Sequence, residues 1–237
     1  MTVRKLEIYG DSVLRGVMYD TDRKRYTLCG TRADALNALC ERGIETKNYS
    51  RMGATVVKGL ELLTKNLPED ARGTAILLEY GGNDCDYNWK EVSENPYVTH
   101  LPKNPVDVFV SQYRALIQKI RSMNGNPVIM SLPLIDPDKF FEYLSAGLNR
   151  DNILAWLGGR TMHLYQWHEM YNVELFKMAR CLQVPIIDIT TPFLEFRNYS
   201  DFLCDDGIHP NEKGHALIAE AVKAKDLQCI ILKKADS

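Results

Sequence analysis

Five short runs of almost continuous apolar residues punctuate the chain, at residues 3–9, 44–49, 74–80, 127–132 and 184–189. The third reads TAILLEY, the fourth PVIMSL and the fifth VPIIDI. Runs of this length without polar alternation are expected of strands covered on both faces. Between them the apolar spacing changes to that of helices. Residues 34–41 place Ala35, Leu36, Ala38 and Leu39 on one stripe, and 54–63 do the same with Val56, Val57, Leu60 and Leu63. Residues 106–123 carry Val110, Tyr113, Ile117 and Ile120, residues 163–182 form a long aromatic-rich pattern, and 211–223 carry Ala216, Ile218, Ala219 and Val222. Alternation of strand and helix predicts an α/β fold with a parallel sheet and helices on both faces. Right-handed crossovers leave few topologies open to it.

Three stretches fall outside this rhythm. Residues 85–105 are polar, carry Pro96, Pro102 and Pro105, and have no clear period. Loops of that length are usually functional. Residues 136–159 contain Phe140, Phe141, Tyr143, Leu144, Leu148, Ile153, Leu154, Trp156 and Leu157, and read as one or two short helices above the sheet. Residues 13–30 read as a hairpin turning around Thr21-Asp22-Arg23-Lys24. No repeat or linker divides the chain, so the expectation is a single domain over 1–237 with inserted segments at 85–105 and 136–159.

Composition narrows the function classes. A net charge of -2 argues against a nucleic-acid partner, and the compact basic cluster Arg23-Lys24-Arg25 lies among acidic residues as in a solvated turn. No stretch approaches bilayer-spanning length, and the N-terminus lacks the apolar core of a signal peptide, so a cytoplasmic location is expected. The six cysteines, Cys29, Cys40, Cys85, Cys181, Cys204 and Cys229, include no C-x-x-C pair and read as small buried side chains.

Polar residues cluster where strands end, the edge at which open α/β sheets bind ligands. The first run ends at Gly10-Asp11-Ser12, the second at Ser50-Arg51-Met52-Gly53, the third at Gly81-Gly82-Asn83-Asp84. Before the last helical pattern stands Asp205-Asp206-Gly207-Ile208-His209-Pro210. A serine hydroxyl is a weak nucleophile until a base removes its proton. His209 is the best base for Ser12, and Asp206 lies close enough on a bent loop to hold the far nitrogen of the imidazole. Gly53 and Ser12 offer backbone amides, and Asn83 a side-chain amide, to an oxyanion. Taken singly each piece has an ordinary reading: Gly-Asp-Ser a turn, Gly53 a helix start, Asn83 or Asp206 a cap, His209 a loop histidine. Their order along the chain and shared edge carry the signal.

This set of four blocks resembles the GDSL/SGNH hydrolases, from about residue 6 to about residue 220. Val13 stands where the family motif has leucine and keeps the position apolar. The resemblance implies a three-layer flavodoxin-like sandwich with a five-stranded parallel sheet. It implies Ser12 as nucleophile and first oxyanion donor, Gly53 and Asn83 as the other donors, and Asp206 and His209 as the rest of the triad. The expected activity is hydrolysis of a short-chain carboxylic ester, such as an acetyl ester of a carbohydrate or other polar alcohol, with no cofactor and no metal. Tyr87 and Trp89, in the polar 85–105 segment, are candidate substrate-stacking residues, as is Tyr97.

Other readings use the same residues. A lysophospholipase, thioesterase or acyltransferase would share the machinery. A metal-dependent phosphoesterase would recruit Asp11, Asp84, Asp206 and His209 as ligands, but with five histidines in the chain few ligands converge. A non-catalytic binding module should have lost one of the reacting groups, and none is lost. The elbow Gly-x-Ser-x-Gly and the dinucleotide signature Gly-x-Gly-x-x-Gly are both absent. The partner expected is a small-molecule ester, and a homo-oligomer is compatible with the sequence.

Overall fold

The structure, a computed structural model, describes residues 5–30 and 44–224. The expected helix at 34–41 lies outside these residues, as do Cys40 and Cys229. Strands β1 (Lys5–Gly10), β4 (Glu45–Asn48), β5 (Thr74–Glu79), β6 (Asn126–Met130) and β7 (Ile186–Ile187) form one sheet in the order β4-β1-β5-β6-β7, and every pairing is parallel. Counted along the chain this is the 2-1-3-4-5 order of flavodoxin-like sheets. The five-stranded parallel α/β sandwich expected from the sequence is therefore the fold. Strands β2 (Val17–Asp20) and β3 (Arg25–Leu28) pair antiparallel as the expected hairpin, with Arg23 to Arg25 exposed at its tip.

Successive residues of a strand point to opposite faces, and the core follows that period of two. Ile76 and Leu78 of β5 join one cluster with Tyr9 and Ile129. Helices α2 (Val56–Asn66), α4 (Val106–Ser122) and α7 (Met162–Cys181) cover this face with Val56, Leu63, Phe109, Tyr113, Ile117, Tyr171 and Leu175. Ala75 and Leu77 point the other way, into a cluster with Leu6, Ile8, Val128 and Met130. That face is covered by α8 (Thr190–Leu194) and α9 (Glu212–Ala224) through Phe193, Ile218 and Val222. The stretch 85–105 contains one short helix, α3 (Trp89–Glu94), and 136–159 contains two, α5 (Pro137–Leu144) and α6 (Arg150–Trp156). These pack on one another in a third cluster built from Val92, Ile135, Phe141, Leu144, Ile153, Leu157 and Leu164.

Three details differ from the sequence reading. The run at 184–189 yields a strand of two residues. Pro185 can give the ladder only its carbonyl, accepting from Ile129 N–H, and Asp188 then bends the chain into α8 by accepting the N–H groups of Thr190 and Thr191. Strand β4, at the sheet edge, is polar and half exposed rather than covered on both faces. Among the described cysteines, Cys29, Cys85 and Cys204 are buried, but Cys181 ends α7 in an exposed position.

Gly59 in α2 makes a close approach of helix to sheet possible. A Cβ there would lie 2.5 Å from Cζ of the fully buried Tyr80, which follows β5 immediately. Helix propensity favours Gly→Ala by about 1 kcal/mol. Overpacking here should reverse that sign, and Gly59→Ala is expected to lose about 1–3 kcal/mol of stability in urea unfolding. An unchanged or raised midpoint would mean that Tyr80 yields freely.

Candidate active site

At the end of β1 the chain leaves the sheet through Asp11, whose Oδ1 accepts the Val13 N–H at 2.8 Å. This side-chain cap opens the four-residue helix α1 (Ser12–Arg15), and Gly16, in the left-handed region at φ 77°, closes it. Ser12 thus sits at the carboxyl edge of the sheet, on a tight turn whose geometry Asp11 fixes.

The second half of the site comes from the other end of the chain. Asp206 is fully buried, and its Oδ1 accepts the N–H groups of Ile208 at 3.2 Å and His209 at 3.1 Å. Those bonds curl the loop so that Oδ2 meets His209 Nδ1 at 2.6 Å. His209 Nε2 then lies 2.9 Å from Ser12 Oγ. Gly207 makes this curl possible. Its φ is +73°, and a Cβ would fall 2.4 Å from the backbone nitrogen of Phe140. The loop is pressed against the start of α5, where Asp136 N–H donates to Gly207 O at 2.8 Å.

Gly53 and Asn83 border the same space. Gly53 adopts φ +72° with open space where a Cβ would stand. Asn83 Nδ2 donates to Asp11 Oδ2 at 2.9 Å, which leaves its second amide hydrogen for a ligand. Asp84 ties these two residues together. Its carboxyl oxygens accept Val56 N–H at 3.0 and 3.2 Å, at the start of the helix that follows Gly53, while Asn104 Nδ2 donates to it at 2.7 Å. Burial raises Asp84 to about 6, against the lowering effect of those donors.

Ser12 and His209 open into a cavity of about 750 Å³. Tyr87, Trp89, Phe140 and Trp156 form one wall, with Tyr87 and Trp156 edge to face at 4.8 Å between centroids. Two of the three indole N–H groups at the cavity are already committed, Trp89 to Asp86 at 2.8 Å and Trp167 to the Cys85 carbonyl at 3.0 Å, so those two rings offer faces rather than donors. At the rim the Tyr26 hydroxyl meets that of Tyr143 at 2.5 Å, and the Tyr26 ring stands edge-on to His209.

Of the residues singled out from sequence, Ser12, Gly53, Asn83, Tyr87, Trp89, Asp206 and His209 are found around this one space. Six line the cavity, and Asp206 lies behind His209. Tyr97, also named as a stacking candidate, is 89% exposed and does not line it. Phe140, Tyr143 and Trp156 reach the cavity, whereas Phe141 belongs to the small cluster above the sheet. The carboxylates considered as metal ligands are engaged elsewhere: Asp11 with Val13 and Asn83, Asp84 with Val56 and Asn104. Sequence reasoning missed Tyr26, the α7 contribution of His163, Trp167 and His168, and Glu79 beneath Asp11. Of these only Glu79 left a trace, as an acidic residue inside an apolar strand run.

Fold and site together define an α/β sandwich with a Ser–His–Asp constellation at the carboxyl edge of its sheet. Residues 8–217 match the GDSL-like Lipase/Acylhydrolase family, and the chain belongs to that hydrolase family. Similar solved structures include a lipase/acylhydrolase from Enterococcus faecalis, 16% identical with TM-score 0.60, covering 93% of this chain and 94% of that one. A member of the lipolytic protein G-D-S-L family from Veillonella parvula is 16% identical with TM-score 0.63, covering 94% and 97%. A catalytic mutant of an acetylxylan esterase from Geobacillus stearothermophilus is 17% identical with TM-score 0.62, covering 93% and 92%. No curated protein matched the chain by sequence.

The raised carboxyl of Asp84 has a measurable consequence. Because the folded protein holds this proton more tightly than the unfolded chain, its stabilisation is complete below the ordinary aspartate range and is lost as pH rises through about 6. Asp84→Asn removes that titration. Relative to the variant, the unaltered protein should therefore lose on the order of 3 kcal/mol between about pH 4 and pH 7. Parallel denaturant curves at several pH values measure this, and equal slopes for the two proteins would mean that Asp84 titrates normally.

Proposed function

We propose that the protein is a serine ester hydrolase working through an acyl-enzyme. The observation that supports this most directly is the continuous hydrogen-bond chain Asp206–His209–Ser12, opening on an apolar cavity. In this reading His209 Nε2 takes the Ser12 proton as Oγ attacks the ester carbonyl. Asp206 holds the tautomer with its proton on Nδ1 and stabilises the imidazolium. The oxyanion is received by the N–H groups of Ser12 and Gly53 and by the Asn83 side chain. Collapse expels the alcohol, which takes the proton from His209, and the resulting acyl-Ser12 is hydrolysed by a water that His209 deprotonates in turn.

The substrate we propose is a small acyl group on a bulky, ring-bearing alcohol, with an acetylated carbohydrate or aryl ester as the type. A cavity of about 750 Å³ far exceeds what an acetyl group fills, so the alcohol occupies most of it. Aromatic faces whose N–H groups are already committed suit the apolar face of a ring. The cavity size also accommodates a longer acyl chain, as a lysophospholipase or thioesterase would require, and a panel varying acyl and alcohol separately distinguishes the two.

Ser12→Ala is expected to lower kcat by about 10⁶, as loss of the nucleophile does in other serine hydrolases. A fluorophosphonate should add a single mass increment on the peptide containing Ser12. Full activity in Ser12→Ala, or labelling elsewhere, would refute the nucleophile.

Trp89→Ala should raise KM about tenfold on acetyl esters of ring alcohols, a loss typical of one removed aromatic contact. Turnover of p-nitrophenyl acetate should change little. If long-chain acyl esters are cleaved best and Trp89→Ala impairs those instead, the cavity holds the acyl chain.

A further inference from the structure

Beneath the nucleophile lies a pair of carboxyl groups that the mechanism above does not use. The register of β1 on β5 sets Gly10 opposite Glu79, so the Glu79 side chain packs against Asp11. Glu79 is 1% exposed and Asp11 2%. The Asp11 N–H donates to Glu79 Oε2 at 3.4 Å, which sets the two buried acids side by side. Burial raises both acids, Glu79 the more strongly because the neighbouring Asp11 charge adds to it. Two adjoining buried carboxyl groups hold one proton between them.

The hydrogen bonds say which one holds it. Asp11 receives two donors, the Val13 N–H and the Asn83 amide, and donors favour the charged form. Glu79 Oε1 is buried and no donor reaches it. An acceptor sealed from water without a donor is costly, and the cost vanishes if that oxygen is itself the hydroxyl, donating to Asp11.

We propose that Glu79 is a positioning residue that donates a hydrogen bond to Asp11 and so fixes the Asn83 side-chain amide for the oxyanion. The inference rests on the reading of Asn83 as an oxyanion donor. A side-chain amide can turn either its NH2 or its carbonyl oxygen towards the cavity. With the carboxylate of Asp11 anchoring one N–H, the other N–H points to the ligand. If the anchor drifts or loses its charge, the amide can rotate and set a carbonyl oxygen against the developing negative charge. Glu79 holds the anchor from below while Asp11 Oδ2 accepts from Asn83.

The test compares Glu79→Gln, Glu79→Leu, Asn83→Ala and the double variant Glu79→Leu/Asn83→Ala on one ester. Gln keeps a donor towards Asp11 and should stay within about threefold of the unaltered kcat. Leu removes the donor at similar volume and should lower kcat about 10–100-fold with little change in KM, less than the roughly 10²–10³ expected for Asn83→Ala. Because both act through one amide, the double variant should be no slower than Asn83→Ala alone. Infrared spectra of the resting protein at about pH 8, where Asp84 has given up its proton, should show the carbonyl stretch of a protonated carboxyl group that disappears in Glu79→Gln, a readout independent of turnover and of whether the Leu variant folds. Additive losses, a Gln variant as slow as the Leu variant, or a band that survives Glu79→Gln would overturn the proposal. Should Asn83→Ala be fully active, the oxyanion reading itself fails. Should Asn83→Ala be slow while Glu79→Leu is unaffected, only the role given to Glu79 fails.

Discussion

The parallel pairing of β1 with β5 is the constraint from which the site follows. It runs from Lys5 opposite Thr74 to Gly10 opposite Glu79, and both strands end at the same level. A slip of one residue would turn every side chain to the other face. Ile76 and Leu78 would then exchange clusters with Ala75 and Leu77, which excludes the slip on packing grounds alone. Once this register holds, Asp11 and Ser12 leave the sheet beside Gly81, Gly82 and Asn83, and the Asn83–Asp11 bond forms across two strand ends. Asp84 then reaches sideways to the start of α2 and brings the Gly53 turn to the same place. Three separated segments are thus fixed by the centre of the sheet, where the protein is most completely buried.

The Asp206–His209 half of the site has no such footing. His209 lies 197 residues from Ser12 along the chain, on a loop rather than a strand. Its position is set by local bonds. Cys204 N–H donates to His209 O at 2.8 Å and Gly207 N–H to Cys204 O at 3.0 Å, while Asn211 caps the helix that follows. The loop is therefore a rigid unit in itself. What orients it on the sheet is its docking against the start of α5 and the covering of Ile218 and Val222 on the second face.

This division explains what could be read from the sequence. The sheet was legible because its central strands are apolar on both sides, a pattern independent of tertiary detail. The four polar blocks were legible because Gly10-Asp11-Ser12, Gly53, Gly81-Gly82-Asn83-Asp84 and Asp206 to His209 each follow or replace an apolar run. Strand β7 was overestimated because Pro185 and Asp188 break a run whose composition still looks like a strand. The Glu79–Asp11 contact depends on register, which apolar pattern alone does not set, so the acid in TAILLEY stayed without an explanation. The cavity wall was hidden for another reason. Phe140, Phe141 and Tyr143 are neighbours in one short helix, and whether an aromatic ring packs beneath or lines a cavity depends on helix rotation by a fraction of a turn.

That helix joins the two halves. Its first turn is built by Asp136, whose Oδ1 accepts the N–H groups of Asp138 and Lys139 while its backbone N–H holds Gly207 O. One residue therefore starts the helix and anchors the His209 loop. Phe140 and Tyr143 of the same helix face the cavity, and Tyr143 reaches Tyr26, which stands against the imidazole. The cavity wall and the loop that holds His209 are thus parts of one packed body. The absence of room for a Cβ at Gly207 leaves little space for the loop and helix to slide past one another. The His209 loop is thus held to α5, whereas Ser12 and Asn83 are held by the sheet.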